Sequence, residues 1–298
     1  MSELNKAVST LTFGETDGVP WLEQSTGGPR LHGFWTDADD AELYDDLRPD
    51  LPRTLPRRYF RLSRDYLTRH RYPHMRPDLK PGGFAADEMM GFHGQHKDTI
   101  ADISTPSVRA ILSDAFRPKS GQVIIDCGAF LGFSDIRIAL EMESSTIYAI
   151  EASPRCYALL ELNVRYNGTG NVVPIHQGVW NEVSTLDLQT SYAQANSLIT
   201  EAHKGETTVS VPTITIDGLV DIHVIQRVDM ISITLNGAEP EALEGAEKTL
   251  SACHPRIRLS GWDERGGKPI FGTCREILEC HNFQVYVGAR GHTLAMAA

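Results

Sequence analysis

No pair of cysteines in this sequence has metal or redox spacing: Cys127, Cys156, Cys253, Cys274 and Cys280 form neither a CxxC nor a His/Cys ladder. That excludes a zinc ribbon and a disulfide scaffold, and the thiols are read as reduced. No stretch approaches the roughly 18 uninterrupted apolar residues of a membrane span. The opening MSELNKAVSTLTFGE lacks the apolar core of a signal peptide. A soluble protein located in the cytoplasm, with no membrane partner, is the expectation. Positive charge is scarce, with 28 Lys and Arg against 39 Asp and Glu and a net charge of −11. A field of that sign repels phosphate polymers, so nucleic acid is disfavoured as a partner and a small molecule is favoured. Internal repeats and low-complexity tracts are also missing.

What is present is an ordinary globular mixture, 41% hydrophobic and 22% charged over 298 residues. That length accommodates one large α/β domain and an appendage; a homo-oligomer is compatible with it. Up to about residue 50 the chain is rich in Gly, Pro and Asp, with weak periodicity and acids clustered from Asp37 to Asp50. From Arg53 the sign reverses, and Arg57, Arg58, Arg61, Arg64, Arg69, Arg71 and Arg76 alternate with Tyr59, Phe60, Tyr66 and Tyr72. Two readings of this basic, partly helical segment stand side by side. Its guanidinium groups could fork onto a substrate carboxylate or phosphate, or they could pair with the acidic stretch just before them or simply form a solvated face.

Past Gly121, short β-like runs alternate with helical stretches, the pattern of a mostly parallel sheet covered by helices. The expected strands are 122–127, 146–150, 171–176, 228–235, 256–260, 283–287 and 293–296. Two further β-rich runs, 184–189 and 207–216, form an inserted hairpin or edge pair. Helices are expected over 134–141, 154–166, 238–250 and 272–281. Ser153 before Pro154 marks a capped helix start. The hairpin-sized gap before the last strand makes that strand antiparallel to its neighbour.

The chemistry concentrates in VIIDCGAFLGFSD, an apolar strand running through Asp126, Gly128 and Gly132 into a helix. Small residues allow a sharp turn and close approach to a ligand at the strand's carboxyl end. A second apolar strand, TIYAIE, ends at Glu151, 151 − 126 = 25 residues later, where a carboxylate can accept hydrogen bonds from both hydroxyls of a ribose. A nicotinamide cofactor would call for GxGxxG. Instead a carboxylate stands at the strand tip, where it would repel a pyrophosphate. It suits a cofactor bearing an ammonium group and a sulfonium, namely S-adenosylmethionine (SAM).

The runs IIDCGAFLGFS, AIEASPRCYALLELNVRYNG, NVVPIHQGVWNE, TITIDGL, DMISITLNGAEPEALEGAEKTL and HPRIRLS resemble the FkbM family of SAM-dependent methyltransferases, over about residues 121–260. The resemblance implies a Rossmann-like class I α/β fold with a seven-stranded sheet and, commonly, O-methylation of a hydroxyl on a secondary metabolite or sugar. It assigns Asp126, Gly128, Ala129 and Gly132 to the methionine portion of the cofactor, and Ser134 at the helix start is a further cofactor-binding candidate. Glu151 and Ala152 fall to the ribose, and Gln177 and Gly178 to the adenine. One departure stands out: where the family reads lysine, aspartate and glutamate in its IKIDVEGAE run, this chain has Ser232, Thr234 and Asn236. Asn236 could orient the acceptor, or be a turn residue before Gly237. Glu239 could be no more than a first-turn carboxylate favoured by the helix dipole.

Ahead of the first strand, GFHGQHKDT resembles a segment that closes over the cofactor's methionine end in several methyltransferases. Gln95 and Thr99 could reach the cofactor's amino or carboxylate group, and His93 or His96 could take a hydroxyl proton. Each histidine could equally be structural. Phe130 and Phe133 could face the sulfonium or belong to the core. The chain divides, on this reading, into an N-terminal extension or lid over residues 1–100 and a methyltransferase domain over 101–298. The extension, the inserted strands and residues 196–204 form the lid that selects a small-molecule methyl acceptor; the alternatives are N-methylation of an amine and, given the lost charges at Thr234 and Asn236, a non-catalytic SAM-binding protein.

Overall fold

The computed structural model describes residues 10–51, 53–66, 115–190, 196–199, 207–261, 263–287 and 292–298. Near the N-terminus, β1 (Leu11–Thr16) and β2 (Val19–Gln24) form a hairpin, and β3 (Leu31–His32) pairs antiparallel with β2. The reversal is made by Asp17 and Gly18, both with positive φ (51° and 79°), as a two-residue hairpin turn requires. This sheet lies in a segment whose sequence shows weak periodicity.

Helix α1 (Ala38–Leu47) is capped by Asp37, whose side chain accepts the Asp40 N–H, and is followed by the short helix α2 (Phe60–Asp65). Buried Asp40 is 2.6 Å from Arg61 and 2.7 Å from Arg64; Arg61 also pairs with Asp37, and Arg57 with Asp45. The acidic and basic stretches therefore neutralise each other at these arginines, the second of the two readings. Arg69, Arg71 and Arg76 lie outside the described residues.

The main sheet is built from β4 (Val123–Cys127), α3 (Phe133–Glu141), β5 (Thr146–Ile150), α4 (Pro154–Asn167) and β6 (Val172–Ile175). A separate small sheet follows, with β7 (Gly178–Val179) parallel to β9 (Thr208–Ile214) and β8 (Thr185–Gln189) antiparallel to β9. After helix α5 (Ile216–Ile222) the chain returns through β10 (Met230–Ile233), α6 (Glu239–Glu244), α7 (Glu247–Cys253) and β11 (Arg256–Ser260). The short pair β12 (Glu264–Arg265) and β13 (Lys268–Pro269) precedes α8 (Phe271–Cys280), β14 (Phe283–Val287) and β15 (His292–Ala297).

Among the described residues the main sheet has seven strands in the order β14-β15-β11-β10-β4-β5-β6. Neighbours are parallel except at β15, which runs antiparallel to both β11 and β14. This is the Rossmann-like class I arrangement expected from the sequence. MISI in β10 is buried throughout, as a central strand covered on both faces must be. From β4 the chain moves to β5 on one side, while β10 pairs on the other, so a crevice opens between the carboxyl ends of β4 and β10.

The expected 238–250 helix is broken in two. Gly245 stands so close to Trp180 that an added Cβ would lie 2.5 Å from its carbonyl oxygen. The restart at α7 is capped by Asp217, which accepts the N–H groups of Lys248 (3.0 Å) and Thr249 (2.8 Å). Helix α5, absent from the expected elements, is capped by Thr215 in the stretch read as strand. The inserted runs pair antiparallel, as expected, but outside the main sheet.

The N-terminal strands share one core with the larger domain: Leu22, Leu31, Phe34 and Leu62 pack with Leu131, Phe133, Ile136 and Leu159. Asn163 on α4 accepts the His32 N–H and donates to the carbonyls of His32 and Leu131. One turn on, Asn167 exchanges two hydrogen bonds with the backbone of Arg30. Phe130 and Phe133 are both buried in this core.

Candidate functional site

β4 ends at Cys127, and the chain must turn away sharply to begin α3. Gly128 does so with φ +89°, and a Cβ there would lie 2.0 Å from the Thr234 carbonyl oxygen at the end of β10. Its N–H and that of Ala129 both donate to Ile150 O at 2.9 Å, tying the turn to β5. Phe130 is left-handed (φ 55°), and its N–H donates to Glu151 Oε2 at 2.9 Å. The other carboxylate oxygen, Oε1, accepts the Ser153 N–H at 2.8 Å. Glu151, only 8% exposed, is thereby held by one backbone donor on each oxygen.

The facing loop after β10 is built the same way. Asn236 is left-handed (φ 52°), and Gly237 follows at φ 108°. Buried Glu239 accepts the N–H groups of Leu235 and Gly237, each at 2.9 Å. Burial pushes its pKa up to about 7, with the Asp263 carboxylate adding to the rise. Asn236 donates from Nδ2 to Asn196 O, and its own carbonyl accepts the Ser197 hydroxyl, both at 2.8 Å. Left-handed non-glycine residues cost on the order of 1 kcal/mol or more and cluster where function holds them; here they face each other across the switch point.

Between these loops lies a cleft with about 560 Å³ of empty space, part of it open to solvent. Of the residues singled out from sequence, Gly128, Phe130, Glu151, Ala152, Gln177, Gly178, Thr234 and Asn236 line it. Asp126, Ala129, Gly132 and Ser134 are not among its lining residues. Asp126 is buried in the sheet, in register with Ser232 and Ala149. Gly132 sits at the start of α3, where a Cβ would meet Leu160 at 2.4 Å, so it serves the packing of α3 on α4. Ala129 belongs to the turn, and Ser134 is half-buried in the first turn of α3. His93, Gln95, His96 and Thr99 lie outside the described residues.

The insertion, expected from sequence as part of the acceptor-selecting lid, also supplies cleft wall through Leu188, Asn196 and Leu198, side chains the sequence did not single out. Nothing local in those side chains announces a ligand. Sequence reasoning missed the Ser153 N–H that orients Glu151, which the EASP run, read only as a helix start, contains.

An adenosyl cofactor fits this wall. The glycine at 128 removes the atom that would fill the crevice, Glu151 would face the ribose hydroxyls, and Gln177 and Gly178 would offer polar and close-approach contacts to the base.

A family model described as the methyltransferase FkbM domain matches residues 126–289. Among curated proteins none matches. Similar solved structures include a methyltransferase FkbM from Methylobacillus flagellatus, 16% identical with a TM-score of 0.43, covering 60% of this chain and 44% of that one. A precorrin-6y C5,15-methyltransferase from Geobacter metallireducens is 16% identical with a TM-score of 0.40, covering 76% and 99%. A fibrillarin from Aeropyrum pernix, with natively bound SAM, is 14% identical with a TM-score of 0.37, covering 60% and 67%. The chain thus spans less than half the length of the M. flagellatus protein. The family match runs through both loops of the cleft and more than half of the sequence, and the chain belongs to the FkbM family of methyltransferases, with SAM as its cofactor.

Proposed function

We propose that this protein transfers the SAM methyl group to a hydroxyl oxygen of a small molecule. The observation that carries the reading is the cleft wall: Glu151 is its one acidic residue among the described residues, and the β10 end presents the neutral Thr234 and Asn236. A hydroxyl suits that lining, whereas an ammonium acceptor calls for carboxylates. The net charge of −11 supports a small acceptor over a nucleic acid, and a cytoplasmic location goes with it.

In this reading Glu151 and Ala152 hold the ribose, and Gln177 and Gly178 the adenine edge. The turn at Gly128 and Ala129 holds the methionine portion, with Asp126 on β4 and Gly132 and Ser134 at the start of α3 setting its path, and with Gln95 and Thr99. Bound SAM supplies a methyl already activated on a positive sulfur. The chain's task is to hold an acceptor oxygen in line behind it and to exclude water. Orientation can contribute about 7 to 11 kcal/mol, against a factor of about 10² to 10⁴ for a general base. Asn236 positions the acceptor, His93 or His96 takes the proton, and residues 1–100 with the insertion form the acceptor-selecting lid.

Calorimetry with SAM and S-adenosylhomocysteine (SAH), followed by labelled-methyl transfer to paired hydroxyl and amine metabolites, tests the reading. Binding of both cofactor forms and label on hydroxyls are expected. Label confined to amines, or binding without transfer to either class, would overturn O-methylation. Folded protein that binds neither form would remove the cofactor site itself.

A further inference from the structure

A second recess adjoins the cofactor cleft, with about 950 Å³ of empty space including its open mouth. It lies between the N-terminal segment, the start of α4 and the inserted sheet, and its walls include Phe34, Trp35, Asp37, Arg61, Arg155 and Asn196. Asn196 lines both spaces. Phe34, in the recess, is 6.1 Å ring to ring from Phe130, which lines the cleft. A molecule filling the recess is therefore next to whatever occupies the cleft.

The charges of the recess do not cancel. Arg61 and Arg64 are matched by Asp37 and Asp40. Arg155 has no ion-pair partner among the described residues; its guanidinium carbon stands 4.3 Å from the centroid of the Phe34 ring. A cation–π contact of that kind holds the group in place without using its N–H donors. The buried Nε of Arg61, which also lines the recess, has no acceptor. The N-terminal end of α4, a 14-residue helix, begins at the same wall and adds positive potential. Asp37 in that wall opposes a dianion, so one negative charge is the match. Phe34 and Trp35 supply flat apolar surface beside it.

We propose that this recess is the acceptor pocket and that Arg155 recognises a carboxylate, making the acceptor a hydroxy acid with an apolar or aromatic body. The assignment rests on the O-methylation reading. It differs from the sequence-based idea of arginine forks in using a residue outside the basic segment.

The test uses the full chain, titrated first with SAH. Saturated protein is then titrated with 4-hydroxycinnamate and 3-(4-hydroxyphenyl)propionate, their methyl esters, and 4-hydroxyphenyl phosphate. The acids are expected to bind about tenfold or more tighter than the esters, since a charge-assisted bidentate contact is worth at least that factor. Arg155→Gln is expected to erase the difference while leaving SAH affinity unchanged, which also verifies that the variant is folded. Equal binding of acid and ester, a difference that survives in Arg155→Gln, tighter binding of the phosphate, or no binding of any probe to SAH-loaded protein each overturns the proposal. Failure of SAH to bind is a separate result, and it removes the methyltransferase reading first.

Discussion

A methyl group on residue 128 would stand 2.0 Å from the Thr234 carbonyl oxygen, on a backbone with φ of +89°. Gly128→Ala must therefore push the ends of β4 and β10 apart. The expected result is a loss of about 1–3 kcal/mol in urea unfolding and SAH affinity reduced by about tenfold or more. Affinity equal to that of the original protein would mean that the β10 end is not part of the cofactor wall. Glu151→Gln probes the opposite wall. Its amide nitrogen must face either the Phe130 or the Ser153 N–H, donor against donor. SAH binding is expected to weaken by about tenfold or more, because a buried backbone donor loses its acceptor; calorimetry reads this directly. Glu151→Asp, which keeps the carboxylate charge but is shorter, should retain more stability than affinity.

Helix α4 connects two parts of the protein through asparagine side chains. Asn163 satisfies the His32 N–H and two carbonyls at a fully buried position, while Asn167 pairs with Arg30 at a half-buried one. Asn163→Ala leaves several buried backbone groups unpaired, for a cost of about 2–3 kcal/mol. It should also release β3, so that trypsin cuts after Arg30 before the main sheet is attacked. Asn167→Ala should do the same to a smaller extent. If cleavage starts elsewhere at an unchanged rate, the N-terminal strands are held by their apolar core alone. Such side-chain pairing explains why β3, only two residues long, has a defined position.

At the scale of the whole molecule, pH is the probe that Glu239 makes available. Its pKa rises from an ordinary 4.5 to about 7 through burial, so the folded chain keeps a proton that the unfolded chain has already lost. That contribution to stability is fully present below about pH 4.5 and is lost as pH rises through about 7. It amounts to on the order of 3 kcal/mol. Glu239→Gln removes the titration. Between pH 5 and 8 the original protein should lose stability relative to the variant in urea unfolding, and parallel curves would show that Glu239 is ionised throughout. Because Glu239 anchors Leu235 and Gly237, SAH affinity of the original protein should follow the same pH window.

The parallel strands were legible because central strands, covered on both faces, must be continuous apolar runs: VIIDC, TIYAI and MISI can hardly be anything else. The glycine turn and the acid at 151 were legible too, since backbone approach and ribose recognition each demand a particular residue type at a particular strand end. The N-terminal hairpin was hidden despite its Asp17–Gly18 turn, because strands packed on a neighbouring helix need no strict alternation of their own. The break at Gly245 depends on the Trp180 carbonyl, and the cleft wall at Asn196 depends on a carbonyl-to-amide contact 40 residues away. Arg155 looks like any helix-surface arginine until Phe34 is brought beneath it. Sequence determined the strands, the turn and the acid at the tip of β5, since those follow from local sterics and hydrophobicity. The tertiary structure alone decided what surrounds them, since contacts between distant segments leave no periodic trace in either one.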